Sequence, residues 1–170
     1  LYGSVGGGLF GGGSSPSLTI GALIMRLRRL EALQSHLSAA DRDKLGQAQS
    51  LHQTVRDEWN LHYEQKLLKE ANSRLDAMRT FFRECQDNTR LCANIYKPEA
   101  LRRTIVQEIL DVMTAQSIAS AELDDKVTMT DGQLRAHFQP GDFLWDAVLQ
   151  DIYPRDPFWW LWGEPPRPSD

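Results

Sequence analysis

Residues Ser38 to Gln86, SAADRDKLGQAQSLHQTVRDEWNLHYEQKLLKEANSRLDAMRTFFRECQ, decide the fold class. Ser38 is a natural N-cap: its hydroxyl can accept from an orphan backbone N–H, and Asp41, three residues on, suits the positive end of a helix. An apolar-biased row follows: Leu45, Ala48, His52, Val55, Trp59, Tyr63, Leu67, Ala71, Leu75, Met78, Phe82 and Cys85. Its mean spacing, about 3.6 residues, is the period of a straight α-helix, whereas a heptad seam would give about 3.5. No proline lies inside the run and Gly46 is its only glycine. It reads as one uninterrupted helix roughly 70 Å long at about 1.5 Å per residue. A compact domain of this size is about 30 to 40 Å across. Part of the helix is therefore expected to stand clear of its own domain, or to lie on other helices or another chain. On its flanks Glu70 with Arg74, and Asp76 with Arg79, have the spacing of helix-surface ion pairs, each worth about a few tenths of a kcal/mol.

Upstream, Ile20, Leu23, Leu27, Leu30 and Leu37 recur every three or four residues, with Ile24 and Leu33 widening the face. This predicts a first helix over 16–37. Arg26, Arg28 and Arg29 give it a polar face suited to acids such as Glu31 or those of a neighbour. The Ser38 cap implies a short turn and an antiparallel hairpin with the long helix. Residues 1–16 are rich in Gly and Ser and cannot bury enough surface to order themselves, which predicts a flexible segment. Within it, Gly8-Leu9-Phe10-Gly11 resembles the GLFG repeat of nucleoporins. The resemblance implies isolated apolar dots in a disordered polar chain that make weak contacts with transport receptors. A Gly-rich linker is the plainer reading of the same residues. The chain opens on Leu1, which suggests a fragment or a processed form.

Downstream, residues 87–97 read as a break, with Asp87 and Asn88 favouring a turn. Pro98 and Glu99 suit the first turn of a third helix. Its apolar residues Leu101, Ile105, Ile109 and Val112, with Val106, Leu110 and Met113 beside them, make a face wide enough for burial on two sides. That helix is expected to fade near Ser120 to Leu123. Asp124-Asp125-Lys126 then reads as a polar connection, and Thr130-Asp131-Gly132-Gln133 as the cap of a short helix reaching Phe138. After the Pro140-Gly141 turn, Asp142 is placed to cap one more short helix carrying Phe143, Leu144, Trp145, Val148, Leu149 and Ile152, ended by Pro154. The segment Phe158-Trp159-Trp160-Leu161-Trp162 holds three of the chain's 5 tryptophans. Large aromatics each bury about 150 to 250 Å² and dominate interfaces. This segment either folds back to close the helical core or docks in a partner. A Pro-rich stretch from Glu164 to Asp170 is expected to be extended, and its Pro165 to Pro168 spacing fits a PxxP ligand only weakly.

No catalytic pattern emerges. The histidines His36, His52, His62 and His137 form no HExxH. Glu58 and His62 are four apart, whereas the di-iron bundle pattern needs three. Neither GxSxG nor a phosphate-binding glycine loop occurs. Glu122, Asp124 and Asp125 read as a solvated loop. Cys85 and Cys92 lie seven apart, which is no metal-ligand spacing and no disulfide framework. They read as two packing residues in a reducing, intracellular compartment, cytoplasm or nucleus. The net charge of −4 disfavours general nucleic-acid binding. No apolar run approaches the roughly 20 residues that span a bilayer.

The sequence therefore predicts an all-α protein in three parts. A flexible segment covers 1–16. A long-helix bundle covers 17–123, built from a helical hairpin and a third helix. Short helices with a Trp-rich closing segment cover 124–170. The expected function is that of a non-enzymatic scaffold or interaction subunit needing no cofactor or metal. Its expected partners are other protein subunits, or a second copy met through the long helix. The partner-binding candidates are Trp59, Trp145, Phe158, Trp159, Trp160 and Trp162. The alternatives are an FG-type nucleoporin fragment, and a helical enzyme or ligand-binding domain with a pocket near Trp59 or Trp145.

Overall fold

A computed structural model of the chain describes residues 18–87 and 89–166. The Gly8-Leu9-Phe10-Gly11 stretch and the last residues of the Pro-rich tail lie outside them. The predicted all-α class is observed, with one small two-stranded ribbon added. The helices are α1 (Ile20–Ala32), α2 (Ala39–Glu58), α3 (Asn60–Asp87), α4 (Thr89–Asn94), α5 (Tyr96–Ala115), α6 (Ala121–Ala136) and a single turn, α7 (Arg155–Phe158). Short 3₁₀ turns cover Gln34–His36, Ala147–Ile152 and Trp159–Leu161.

The body is α1, α3, α5 and α6 packed side by side. At one end Ala22, Ile24 and Met25 of α1 meet Tyr63, Leu67, Ala71 and Leu75 of α3, with Ile105, Val106, Ile109 and Met113 of α5 and Leu123 of α6. At the other end Met78, Phe82 and Cys85 of α3 meet Tyr96 and Ala100 of α5, Leu134 of α6 and the aromatic closing segment. Gly21 sets the approach of α1. A Cβ there would stand 2.7 Å from Ile105 Cγ2, 2.7 Å from Ile109 Cδ1 and 2.9 Å from Glu70 Oε1. Glu70 fastens the same spot by accepting from the Thr19 hydroxyl and the Gly21 N–H, while Arg74 pairs with it at 2.7 Å, as its spacing predicted.

Several expectations need correction. The long helix is not uninterrupted. Ser38 does cap it, accepting from the Asp41 N–H at 3.2 Å, but the backbone leaves helical geometry at Trp59 (φ −121°, ψ 35°). His52 Nε2 lies 2.9 Å from the Tyr63 hydroxyl. Eleven residues along a straight helix would separate these by about 16 Å, so the chain bends sharply at Trp59 and the 70 Å rod becomes two shorter helices. No proline or glycine marks the bend. Asp76 pairs with Lys126 at 2.8 Å rather than with Arg79.

Residues 121–136 are one helix, not a polar connection and a short helix. Ser120 caps it, accepting from the Leu123 N–H at 3.3 Å. Leu123, Thr130 and Leu134 are buried at helical spacing, and the Thr130 hydroxyl donates to the Lys126 carbonyl instead of capping. The expected Pro140-Gly141 turn and Asp142 lie instead in β1 (Gln139–Phe143), which pairs antiparallel with β2 (Trp162–Glu164), and the helix expected after them is reduced to the 3₁₀ turn Ala147–Ile152. Gly163 (φ +149°) permits that pairing, since a Cβ there would lie 2.1 Å from the Gln139 carbonyl. Asp146, not Asp142, caps the turn that follows, accepting from Val148 N–H at 3.0 Å.

Cys85 and Cys92 are both buried, as packing residues should be, but they are joined in a disulfide with Cα atoms 5.3 Å apart. The reducing compartment inferred from two unlinked thiols loses the observation on which it rested. Among the described residues no helix is long and apolar enough to cross a membrane.

Candidate functional site

Six aromatic residues stand as partner-binding candidates, and the structure divides them. Phe158 and Trp160 are each 1% exposed in the core of their own chain. The Trp160 indole N–H donates to Thr104 Oγ1 at 3.0 Å, and the Tyr96 hydroxyl donates to the Trp160 carbonyl at 2.7 Å. Burial drives the Tyr96 phenol far above its ordinary pKa, so it holds that bond as a donor. Trp162 is half-buried and donates its indole N–H to the Tyr153 carbonyl at 2.9 Å. Trp145 and Trp159 are also half-buried. Of the two roles open to this segment, closing the core is the one observed. Phe158 and Trp160 could reach a partner only by leaving that core.

Arginines hold the segment down. Arg103 lies 4.1 Å from the Trp160 ring centroid while its guanidinium grips Asp131 through two bonds of 2.7 and 3.0 Å. Arg29 stacks over Trp145 at 4.3 Å and donates to the Tyr153 hydroxyl at 2.7 Å. Arg28 covers Phe158 at 5.2 Å, donates to the Ile152 carbonyl and binds Glu108 at 3.2 Å. Arg135 and Arg155 stand over Trp159 and Trp162. The spacing of Arg26, Arg28 and Arg29 predicts a face that pairs with acids. Arg28 does so through Glu108 of α5, but stacking on distant rings left no periodic mark in the sequence. Glu108 is buried, and that burial raises its carboxyl pKa against the pull of Arg28. Glu99, also buried, is raised for the same reason, against Arg102.

A shallow cleft of about 270 Å³ beside Trp145 is lined by Asp142, Phe143, Gln150, Arg155 and Trp162 among others. It contains no histidine, cysteine or serine. A second of about 310 Å³ is bounded by Arg135, Phe138, Pro140, Arg155, Trp159 and Trp162. Trp59 lines neither. Among the described residues no cluster of three or more His, Cys, Asp or Glu side chains is placed to hold a metal.

The other surface is α2. From Tyr63 onward every member of the apolar row is buried. Before the bend, Leu45 alone is buried in a helix of 20 residues. The remaining side of α2 turned toward the body is polar: Gln49, His52 and Arg56 are its half-buried residues. Burial lowers the His52 pKa, with Arg56 adding to the effect, and burial raises Tyr63 to about 12. The apolar residues lie elsewhere. Leu51 is 61% exposed, Val55 39%, Trp59 53% and Leu61, just past the bend, 60%. Single exposed apolar residues are ordinary, but a run of them along one helix is not.

No family model, curated protein or solved structure matches this chain. The geometry of α2 therefore carries the functional reading. Sequence periodicity picked out Val55 and Trp59 of this surface but passed over Leu51 and Leu61. The burial that sets Val55 and Trp59 apart from Tyr63 and its successors had no counterpart in the pattern.

Proposed function

We propose that the protein is a non-enzymatic interaction subunit that presents α2 to a partner. One observation carries the reading: α2 turns its polar side to the body and its apolar side, Leu51, Val55 and Trp59, to solvent. Helices in proteins draw most of their stability from burying an apolar face, and short helices alone in water are marginal. Within this chain α2 buries Leu45, and Gly46 costs it about a further 1 kcal/mol relative to alanine. A partner on the outward face would supply the missing burial. The body, closed by the Trp-rich segment, is the rigid mount that holds α2 in place.

Hydrogen exchange on the dilute chain tests this. Amides of α2 are expected to exchange at least about 100-fold faster than those between Leu67 and Cys85, because opening α2 exposes little apolar surface. Equal protection of the two helices in a dilute monomer would show that α2 needs no further cover, and the reading would fall.

A further inference from the structure

We infer that the partner of α2 is a second copy of this chain, with the two α2 helices antiparallel about a two-fold axis through Leu51; the inference rests on the reading of α2 as a docking face. Three features of the helix point there.

The first is chemistry. Between Lys44 and Arg56 the helix carries no charged side chain: Leu45-Gly46-Gln47-Ala48-Gln49-Ser50-Leu51-His52-Gln53-Thr54-Val55. A neutral, part-apolar face suits a neutral, part-apolar partner. It offers an acidic or basic surface nothing to recognise.

The second is symmetry. Lys44 and Glu58 lie seven residues either side of Leu51, two helical turns away, and so share its face. A two-fold axis at Leu51 sets each Lys44 opposite the other copy's Glu58. It also sets Leu51 on itself, Val55 against Gln47, and Ala48 against Thr54. The remaining charges of α2, Asp41, Arg42, Asp43, Arg56 and Asp57, lie about 80° or more around the helix axis from Leu51, off this face, so no like charges oppose one another. Such self-complementarity is what an isologous interface requires. Within the described residues Glu58 makes no ion pair, and Lys44 has the exposed Asp41 at 3.4 Å.

The third is access and size. Leu51 lies about 120° around the helix axis from the buried Leu45, so a second copy approaches away from the body. The contact is a strip about 30 Å long and about 12 Å wide on each copy, which falls below the roughly 600 Å² per partner at which standard interfaces begin. The pair is accordingly a weak, reversible one.

Sedimentation or light scattering of the whole chain from about 5 to 500 µM at low salt reads this directly. The expected result is a concentration-dependent dimer. Leu51→Glu, which sets two carboxylates face to face on the axis, is expected to keep the chain monomeric. Glu58→Lys is expected to weaken association about 10-fold, and adding Lys44→Glu to it to restore association to within about threefold. All of these sites are exposed, and circular dichroism confirms that each variant folds. A wild-type chain that stays monomeric at every concentration overturns the second copy. It leaves the docking face standing if α2 exchanges fast in the same sample. A dimer that survives Leu51→Glu overturns the α2 pairing, and a charge swap that fails to restore association overturns the register.

Discussion

Replacing Trp160 tests whether the closing segment belongs to the fold. Its ring is buried among Tyr96, Tyr153, Phe158 and Leu134, its N–H is bonded to Thr104, and Arg103 lies against its face. Trp→Ala in a packed core costs about 3 to 5 kcal/mol, and the lost indole bond adds about 1 kcal/mol. Trp160→Ala should therefore cost about 4 to 6 kcal/mol, a large share of the roughly 5 to 15 kcal/mol that holds a domain together. In urea, with a slope of about 2 kcal/mol/M, the midpoint should fall by roughly 2 to 3 M. Two companions calibrate the value. Trp159→Ala removes a half-buried ring and the contact with Arg135, and should cost about 1 to 2 kcal/mol. Trp59→Ala removes a ring that is 53% exposed, and should stay within about 0.5 kcal/mol of wild type in a dilute monomer. The order Trp160, Trp159, Trp59 is the prediction. If Trp160→Ala costs less than about 1 kcal/mol at unchanged slope, the segment is not part of the core and the tryptophans return to being candidate anchors for a partner.

Two further outcomes follow. Gly21 and Gly46 both lie in helices, where alanine is intrinsically better by about 1 kcal/mol, yet they should respond with opposite sign. Gly21→Ala drives a methyl into Ile105, Ile109 and Glu70 and should lose about 1 to 2 kcal/mol, whereas Gly46→Ala meets nothing within 4 Å and should gain about 0.5 to 1 kcal/mol; a gain at both sites would refute the close packing of α1 on α5. Glu108 gives the pH prediction. Burial raises its folded pKa above the ordinary 4.5, so the folded state holds the proton more tightly than the unfolded one. Its contribution is then full below about pH 4.5 and declines as pH rises through the folded value. Glu108→Gln keeps an acceptor for Arg28 and removes the titration, so denaturant melts from pH 4 to 8 should show the variant gaining on the wild type as pH rises. The wild type gaining instead would mean that Arg28 outweighs burial.

The helical class was legible because the row from Leu45 to Cys85 keeps one period over its whole length, and the cap at Ser38 is local chemistry. What failed to show depends on contacts distant in sequence. Thr130-Asp131-Gly132-Gln133 carries a capping pattern, but Leu123 and Leu134 anchor α6 on both sides of it, and burial at helical spacing overrides a local start signal. The ribbon of β1 and β2 needs Gly163 to meet Gln139 and Pro140 across more than twenty residues. Cys85 and Cys92 meet because α3 ends between them. The arginines that cover the aromatic segment reach it from α1, α5 and α6, which no spacing rule connects.

The bend at Trp59 is the case with a functional consequence. A period of 3.6 reports that a row of side chains is selected to be buried, and says nothing about which chain buries it. The same row runs through Val55 and Trp59 into Tyr63 and Leu67 with no change of step. Tyr63 and Leu67 find α1 and α5 of their own chain, while Val55 and Trp59 do not, because the chain bends away before it reaches them. Had α2 been only a connection between α1 and α3, polar residues at 48, 51, 55 and 59 would have served, and its stability would have been better placed on the side facing the body. That side instead holds Gln49, His52 and Arg56. A row that continues past the point where its own chain can cover it is accounted for if something else covers the rest, and Lys44 and Glu58, placed evenly about Leu51, are the residues from which to learn whether that cover is a second copy.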